Sequence, residues 1–114
     1  ATGDSNILTF TQGASATATA GNQDFAITGS SNDINATCEV VGCINNWSIT
    51  GSSNDIDTTQ TGNADHSITA TITGSTNNID VDQTSTGGST SDVLVITATT
   101  SNGTIDIDQC ASGC

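Results

Sequence analysis

The sequence predicts an all-β fold, a β-solenoid of about 4.5 stacked strand–turn–strand coils without helices. Three observations predict it. The octapeptide ITGSSNDI occurs at 27–34 and again at 49–56, and ITGSTNNI follows at 72–79. An apolar marker with Gln or Cys four positions later recurs every 22–26 residues, a period typical of stacked coils. Within each unit, apolar and polar residues alternate at a spacing of two, which is the period of a β-strand.

The first strand of each unit supplies two predicted columns of core side chains, because residues of one parity face inward while Asp, Thr, Ser and Asn of the other parity face solvent. The apolar column consists of Leu8, Ile34, Ile56, Ile79 and Ile105. The amide column consists of Gln12, Gln60, Gln83 and Gln109, with Cys38 in the place of the second Gln. Stacked amides can bond to one another, whereas a lone buried amide would cost a few kcal/mol.

A second strand in each unit ends seven residues before the next marker. Its predicted inward residues are Phe25, Ile27, Trp47, Ile49, Ile68, Ala70, Ile72, Leu94, Ile96 and Ala98. Turns are predicted on one side at Gly29, Gly51 and Gly74, and on the other at Gly13, Gly42, Gly62 and Gly87 to Gly88. The chain is then a single domain, 1–114, with coils of approximately 1–26, 27–48, 49–71, 72–97 and 98–114.

Composition narrows the function classes. With 32% hydrophobic residues, two Phe and one Trp in 114 residues, the chain cannot fill a conventional core, so we do not expect an enzyme. It has no Lys or Arg, and its 12 acidic residues give a formal charge of −12. Such a polyanion is not expected to bind nucleic acid, and without a long apolar run it is not expected to insert into a membrane.

The cysteines indicate an oxidising compartment. The simplest pairing is local, Cys38 with Cys43 and Cys110 with Cys114; a metal site and links between subunits are the alternatives. A first residue that is Ala rather than Met suggests a mature form cleaved from a secretory precursor. We therefore expect a secreted protein at or outside the cell surface.

Three segments carry an inward Ile, an inward Gln and then a Gly turn, in a pattern that begins with an inward Asn or Ser: SNDIDTTQTGN at 53–63, TNNIDVDQTSTGG at 76–88 and NGTIDIDQCASG at 102–113. This pattern resembles the curlin repeat of bacterial curli-type amyloid fibres. The resemblance implies a structural subunit of an extracellular fibre, acting as biofilm matrix, adhesin or surface filament. The chain departs from the family in its cysteines and in second strands that lack a regular inward Gln.

The ends of the pattern predict self-association. There are five first strands but only four second strands, and neither end shows a capping helix. An open strand edge templates the addition of another strand, so we expect head-to-tail assembly into a homopolymeric filament. The alternatives are a monomeric solenoid that acts as an ice-binding protein or adhesin, and a viral fibre. Threonine-rich runs at 17–20, 69–73 and 97–100 support the ice-binding alternative.

Other candidate sites each have a simpler interpretation. Stacking aligns Asp57 with Asp80 and Asp106, and Asp82 with Asp108; these columns could bind calcium or form a solvated face screened by salt. No other cofactor is predicted. Asn35, Asn46 and Asn102 head N-glycosylation sequons. His66, the single histidine, is expected to be a turn residue.

Overall fold

The computed structural model describes residues 1–13, 21–39, 42–62, 66–85 and 92–111, and these contain nine strands. The strands are β1 Ser5–Gln12, β2 Gly21–Thr28, β3 Ser31–Cys38, β4 Cys43–Thr50, β5 Ser53–Gly62, β6 Ser67–Thr73, β7 Thr76–Ser85, β8 Val93–Thr99 and β9 Asn102–Ala111. Within these ranges there is no helix long and apolar enough to cross a membrane. The turn predicted at Gly87 to Gly88 and the threonine run at 17–20 lie outside the described residues.

Two parallel sheets enclose the core. The odd-numbered strands form sheet 1 in the order β1-β3-β5-β7-β9, and the even-numbered strands form sheet 2 in the order β2-β4-β6-β8. Each strand pairs in parallel with the strand two elements further along the chain. Each coil therefore adds one strand to each sheet, and the predicted β-solenoid is confirmed.

The apolar repeat positions of sheet 1 stack in register. Ile34 pairs with Ile56, Ile56 pairs with Ile79, and none of the three is more than 1% exposed. Two members of the predicted column are less buried than expected. Leu8 is only half-buried and Ile105 is 48% exposed, because they lie in the first and last coils, each with a neighbouring strand on one side only.

The Gln column forms a chain of side-chain hydrogen bonds. Gln109 Nε2 donates to Gln83 Oε1 at 2.8 Å, and Gln83 Nε2 donates to Gln60 Oε1 at 2.9 Å. Gln60 in turn donates to backbone carbonyls of sheet 2. Gln60 and Gln83 are buried, but Gln12 is half-buried and Gln109 is exposed, again because they occupy the end coils. Cys38 takes the Gln position in β3.

A second amide column, which we call the Asn ladder, runs parallel to the first. Asn6 Nδ2 donates to Asn32 Oδ1 at 2.9 Å, Asn32 to Asn54 at 2.7 Å, and Asn54 to Asn77 at 2.8 Å. Asn6, Asn32 and Asn54 also donate to the carbonyls of Thr28, Thr50 and Thr73 at the end of sheet 2, and Asn77 donates to that of Thr99. Burial of Asn32 and Asn54 therefore costs little, because both hydrogens of each amide have an acceptor.

Sheet 2 buries two amides that sequence analysis missed. Gln23 in β2 and Asn45 in β4 face inward at 2% and 0% exposure, so the expectation that second strands carry only aromatic or aliphatic residues inward is wrong for these two. Both residues occupy the same alternate positions as the buried apolar residues of their strands, and this alternation could have identified them as inward-facing. In β6 and β8 the same position is apolar, occupied by Ile68 and Leu94.

Replacing Asn45 by valine is expected to stabilise the fold. Neither polar atom of the Asn45 side chain has a hydrogen-bond partner, and a buried unsatisfied amide costs about 1–3 kcal/mol. Valine has a similar volume and favours strands. We expect the free energy of unfolding in urea to rise by about 1–2 kcal/mol. The matched control is Asn46→Val, since Asn46 faces solvent and donates to Asp24; an equal gain there would contradict the argument.

Candidate functional site

The C-terminal end of the stack exposes core residues. Among the described residues, no strand of sheet 2 follows β8, so the inward side chains of β9 are only partly covered. Of these side chains, Ile105 is 48% exposed and Ile107 is 43% exposed. Their neighbours one coil back, Ile79 and Val81, are 1% and 0% exposed. The same side chains would be buried by one further coil.

The first strand of sheet 1 also has a neighbour on one side only, and it is uncharged. β1 contains no charged residue; Ile7 is 77% exposed and Phe10 is 40% exposed. Ala1 and Gly3 start a further rung of sheet 2 beside β2, where Thr28 N–H donates to the Ala1 carbonyl at 2.9 Å and Gly3 N–H to the Thr28 carbonyl at 3.0 Å. Edge strands usually carry charges that prevent pairing, and β1 has none.

Successive coils repeat one backbone contact at each turn. Ser31 N–H donates to the Asp4 carbonyl, Ser53 N–H to that of Ser30, Thr76 N–H to that of Ser52, and Asn102 N–H to that of Ser75, at 2.9–3.0 Å. Continuing the series would direct the N–H of Ser5 in a following copy to the Ser101 carbonyl. The two ends of the stack therefore present complementary halves of one repeated contact.

The aspartates predicted to align do so on the outer face of sheet 1. Asp57 pairs with Asp80 and Asp80 with Asp106, while Asp82 pairs with Asp108. All five are exposed. Calcium takes 6–8 oxygen ligands around one point, whereas these carboxylates follow one another along a line. In the part of the chain that the structure describes, no three His, Cys, Asp or Glu residues are grouped to hold a metal ion.

Crowding on this face has one resolved electrostatic effect. The pKa of Asp57 is raised from its ordinary value of 3.8, first by partial desolvation of this largely exposed carboxyl group and then by the carboxylates of Asp55, Asp80 and Asp33. The folded chain therefore disfavours the charged form of Asp57.

We expect Asp57→Asn to stabilise the chain at neutral pH and to reduce its dependence on pH. A carboxyl group whose pKa is raised on folding contributes stability below its ordinary pKa, and this contribution is lost as pH rises through the folded value. The gain from the substitution should therefore be largest at pH 7 and vanish as pH falls below 3.8. Thermal melting of both chains across this range measures the difference. A gain that grows on acidification would contradict the prediction.

The predicted bridge between Cys38 and Cys43 is present. It joins the end of β3 to the start of β4, with both cysteines fully buried and their Cα atoms 6.3 Å apart. Gly42 supports this tight connection with a left-handed φ of 68°, a conformation that other residues rarely adopt. Cys110 is disulfide-bonded as well, while Cys114 lies outside the described residues.

His66 is more than a turn residue, because its side chain is fully buried. Its Nδ1 accepts a hydrogen bond from the Cys43 backbone N–H at 3.2 Å. The backbone N–H of His66 donates to Asp92 Oδ1 at 3.0 Å. Ser85 Oγ donates to the same aspartate oxygen at 2.6 Å. The serine hydroxyl and the His66 backbone N–H thus share one carboxylate oxygen of Asp92. Position 66 shares the inward parity of β6, a signal that the sequence already contained.

The outer face of sheet 2 carries an unbroken threonine column of Thr28, Thr50, Thr73 and Thr99. The Thr-Ala-Thr stretches at 69–71 and 97–99 are offset from one another by two residues. Thr69 pairs with Val95, and Thr71 pairs with Thr97, so 71–73 aligns with 97–99. The three sequon residues Asn35, Asn46 and Asn102 are all exposed on outer faces.

Comparison with family models, with curated proteins and with solved structures finds no match for this chain.

Proposed function

We propose that this protein is a secreted structural subunit that stacks head to tail into an extracellular, curlin-like fibre. The observation that carries the proposal is the pair of open ends: half-exposed Ile105 and Ile107 at one, and the uncharged strand β1 at the other. The core side chains of the first and last described coils are less buried than those of interior coils. In the proposed fibre, a second copy covers them.

The register within the chain defines the junction. Continuing it places β9 of one copy beside β1 of the next, with Ile105 opposite Leu8, Ile107 opposite Phe10 and Gln109 opposite Gln12. The apolar column and the Gln column then run on from one subunit to the next. Since the contact joins two different surfaces and does not close on itself, it generates a filament.

Charge also favours this junction. The chain has no Lys or Arg to neutralise its aspartates, so pairing of two acidic strands would be repulsive. β9 carries Asp106 and Asp108 outward, and in the continued register they lie beside Thr9 and Thr11 of the next copy. The first strand of sheet 1 thus lacks carboxylates at the positions where repulsion would oppose assembly.

The disulfide between Cys38 and Cys43 supports the extracellular part of the proposal, since such bonds persist in oxidising compartments. The curlin-like repeats support a role as matrix, adhesin or surface filament. With a net charge of −12, the fibre is expected to bind neither nucleic acid nor anionic membranes, and to attract dissolved cations.

Electron microscopy and fibre diffraction of the purified chain test the proposal. We expect unbranched filaments with a meridional reflection near 4.8 Å, because the strands lie across the fibre axis. Ile107→Asp should abolish filaments while the monomer stays folded, since a charge would be buried only at the junction. The control Thr104→Asp adds the same charge to the outer face of the same strand. Wild-type protein that remains monomeric at high concentration, or filaments unaffected by Ile107→Asp, would contradict the proposal.

A second candidate function, ice binding by a monomer, is favoured by one observation. Thr28, Thr50, Thr73 and Thr99 form a regular hydroxyl and methyl array on a flat face. An ice binder would inhibit ice recrystallisation as a monomer and would lose that activity when Thr73 is replaced by a bulky residue, with no effect on assembly. The filament subunit behaves in the opposite way.

A further inference from the structure

The two outer faces of the slab differ sharply in charge. The outward positions of sheet 1 carry the carboxylates of Asp33, Asp55, Asp57, Asp80, Asp82, Asp106 and Asp108, all exposed. The outward positions of sheet 2 carry one, Asp24, whose Oδ1 accepts a hydrogen bond from Asn46 at 2.8 Å. Seven of the eight carboxylates on the described strands therefore lie on the outer face of sheet 1.

The outward residues of β2, β4, β6 and β8, which we call the hydroxyl face, are mostly small and β-branched, and Asp24 is the one charged residue among them. Beside the threonine column lies a second column of small residues, formed by Ala26, Ser48, Thr71 and Thr97. Further along, Ile44, Val93 and Val95 are 44%, 48% and 49% exposed. Together with the threonine methyl groups, they make this face more apolar and less charged than the outer face of sheet 1.

We infer that the hydroxyl face is where two fibres of this chain pack side by side, hydroxyl face to hydroxyl face. The inference rests on the proposed function, since it concerns the assembled fibre. The charge distribution of the chain indicates that the surface covering this face is another hydroxyl face. The chain has no Lys or Arg, so contact between two acidic faces, or between an acidic and a hydroxyl face, would leave carboxylates without a cationic partner. Pairing of hydroxyl faces leaves both acidic faces in water.

The size of the face explains why pairing would need the fibre. Four strands about 4.8 Å apart, each of some seven residues rising about 3.3 Å, give roughly 450 Å² per copy. A stable interface buries about 800 Å² on each partner, so two isolated subunits fall short. A row of subunits in a fibre exceeds this area after two copies. Lateral pairing is therefore expected only once head-to-tail assembly has occurred, with threonine and valine side chains interdigitating in a dry seam.

The experiment compares fibres of wild type, Thr71→Asp and Asn35→Asp by electron microscopy in EDTA. Thr71 is an exposed residue at the centre of the hydroxyl face, and Asn35 is an exposed residue on the acidic face. Like charges facing one another across an interface cost several kcal/mol, so paired fibres should fall more than about ten-fold in Thr71→Asp. Asn35→Asp should pair like wild type. Ser48→Asp, on the adjacent strand, is a second variant should the first alter folding.

Each outcome decides the inference. Single fibres of normal length in Thr71→Asp, with paired fibres in both other chains, support it. Wild-type fibres that stay single overturn this inference alone, whereas wild-type protein without any fibres overturns the proposed function as well. Pairing that requires calcium and survives Thr71→Asp would place the contact on the acidic face. Loss of ice recrystallisation inhibition in Thr71→Asp, without any fibre pairing, would assign the hydroxyl face to ice.

Discussion

Replacing Gly51 by alanine is expected to destabilise the solenoid by about 3 kcal/mol, at the upper end of what overpacking does. A Cβ atom at this position would lie 2.3 Å from the Gly29 carbonyl oxygen, 2.7 Å from Asn32 Nδ2 and 2.8 Å from Asn54 Oδ1. The first of these is backbone of the neighbouring coil and the other two belong to the Asn ladder. Relief of the clash would require the coils to separate, and separation would break the ladder and nearby backbone hydrogen bonds together.

The matched control is Gly13→Ala. A Cβ atom there would meet nothing within 4 Å, and its φ lies outside the left-handed region, so the change in stability should stay within about 0.5 kcal/mol. Urea unfolding followed by circular dichroism compares the two variants. Equal stability losses would contradict the argument, because Gly13 has no close contact that alanine would disturb, and the lower flexibility of an unfolded chain with alanine favours folding.

The same geometry explains the repeated octapeptide. In ITGSSNDI and ITGSTNNI the Ile is a buried residue of sheet 2, and the Gly is the close-contact turn. The Asn three residues later enters the Asn ladder, and the last Ile enters the apolar column of sheet 1. Each coil must repeat these positions because its neighbour supplies the partner for each of them. A sequence repeat of this kind therefore predicts strand parity and register well.

The repeat could not predict what happens where a partner is missing. Leu8, Ile105 and Gln109 match their columns in sequence but not in burial, because burial depends on a neighbouring coil that the end positions lack. Two polar residues of sheet 2 also differ from the expectation, for a different reason. Gln23 and Asn45 are polar residues at inward positions, and a rule that assigns polar residues to solvent places them on the wrong face.

Replacing Asn54 by aspartate is expected to cost about 3–5 kcal/mol at neutral pH, the usual effect of a buried charge without a partner. The substitution keeps the size and shape of the side chain but removes both of its donors. Asn54 Nδ2 donates to Asn77 Oδ1 at 2.8 Å and to the Thr73 carbonyl at 3.3 Å, so an oxygen in its place would face two acceptors at these distances. Only the bond accepted from Asn32 would remain.

The dependence on pH separates this mechanism from a general loss of packing. Burial and facing acceptors favour the protonated carboxyl in the folded state, so its pKa should be raised on folding. Stability is then lost as pH rises through the folded value and recovers as pH falls toward the unfolded pKa of about 3.9. Thermal melting of Asn54→Asp at pH 7 and pH 3.5 should show the deficit shrinking on acidification. Asn102→Asp, exposed at the start of β9, should show neither the deficit nor its recovery. A deficit independent of pH would mean that the Asn ladder stabilises the coils by shape alone, and not by its hydrogen bonds.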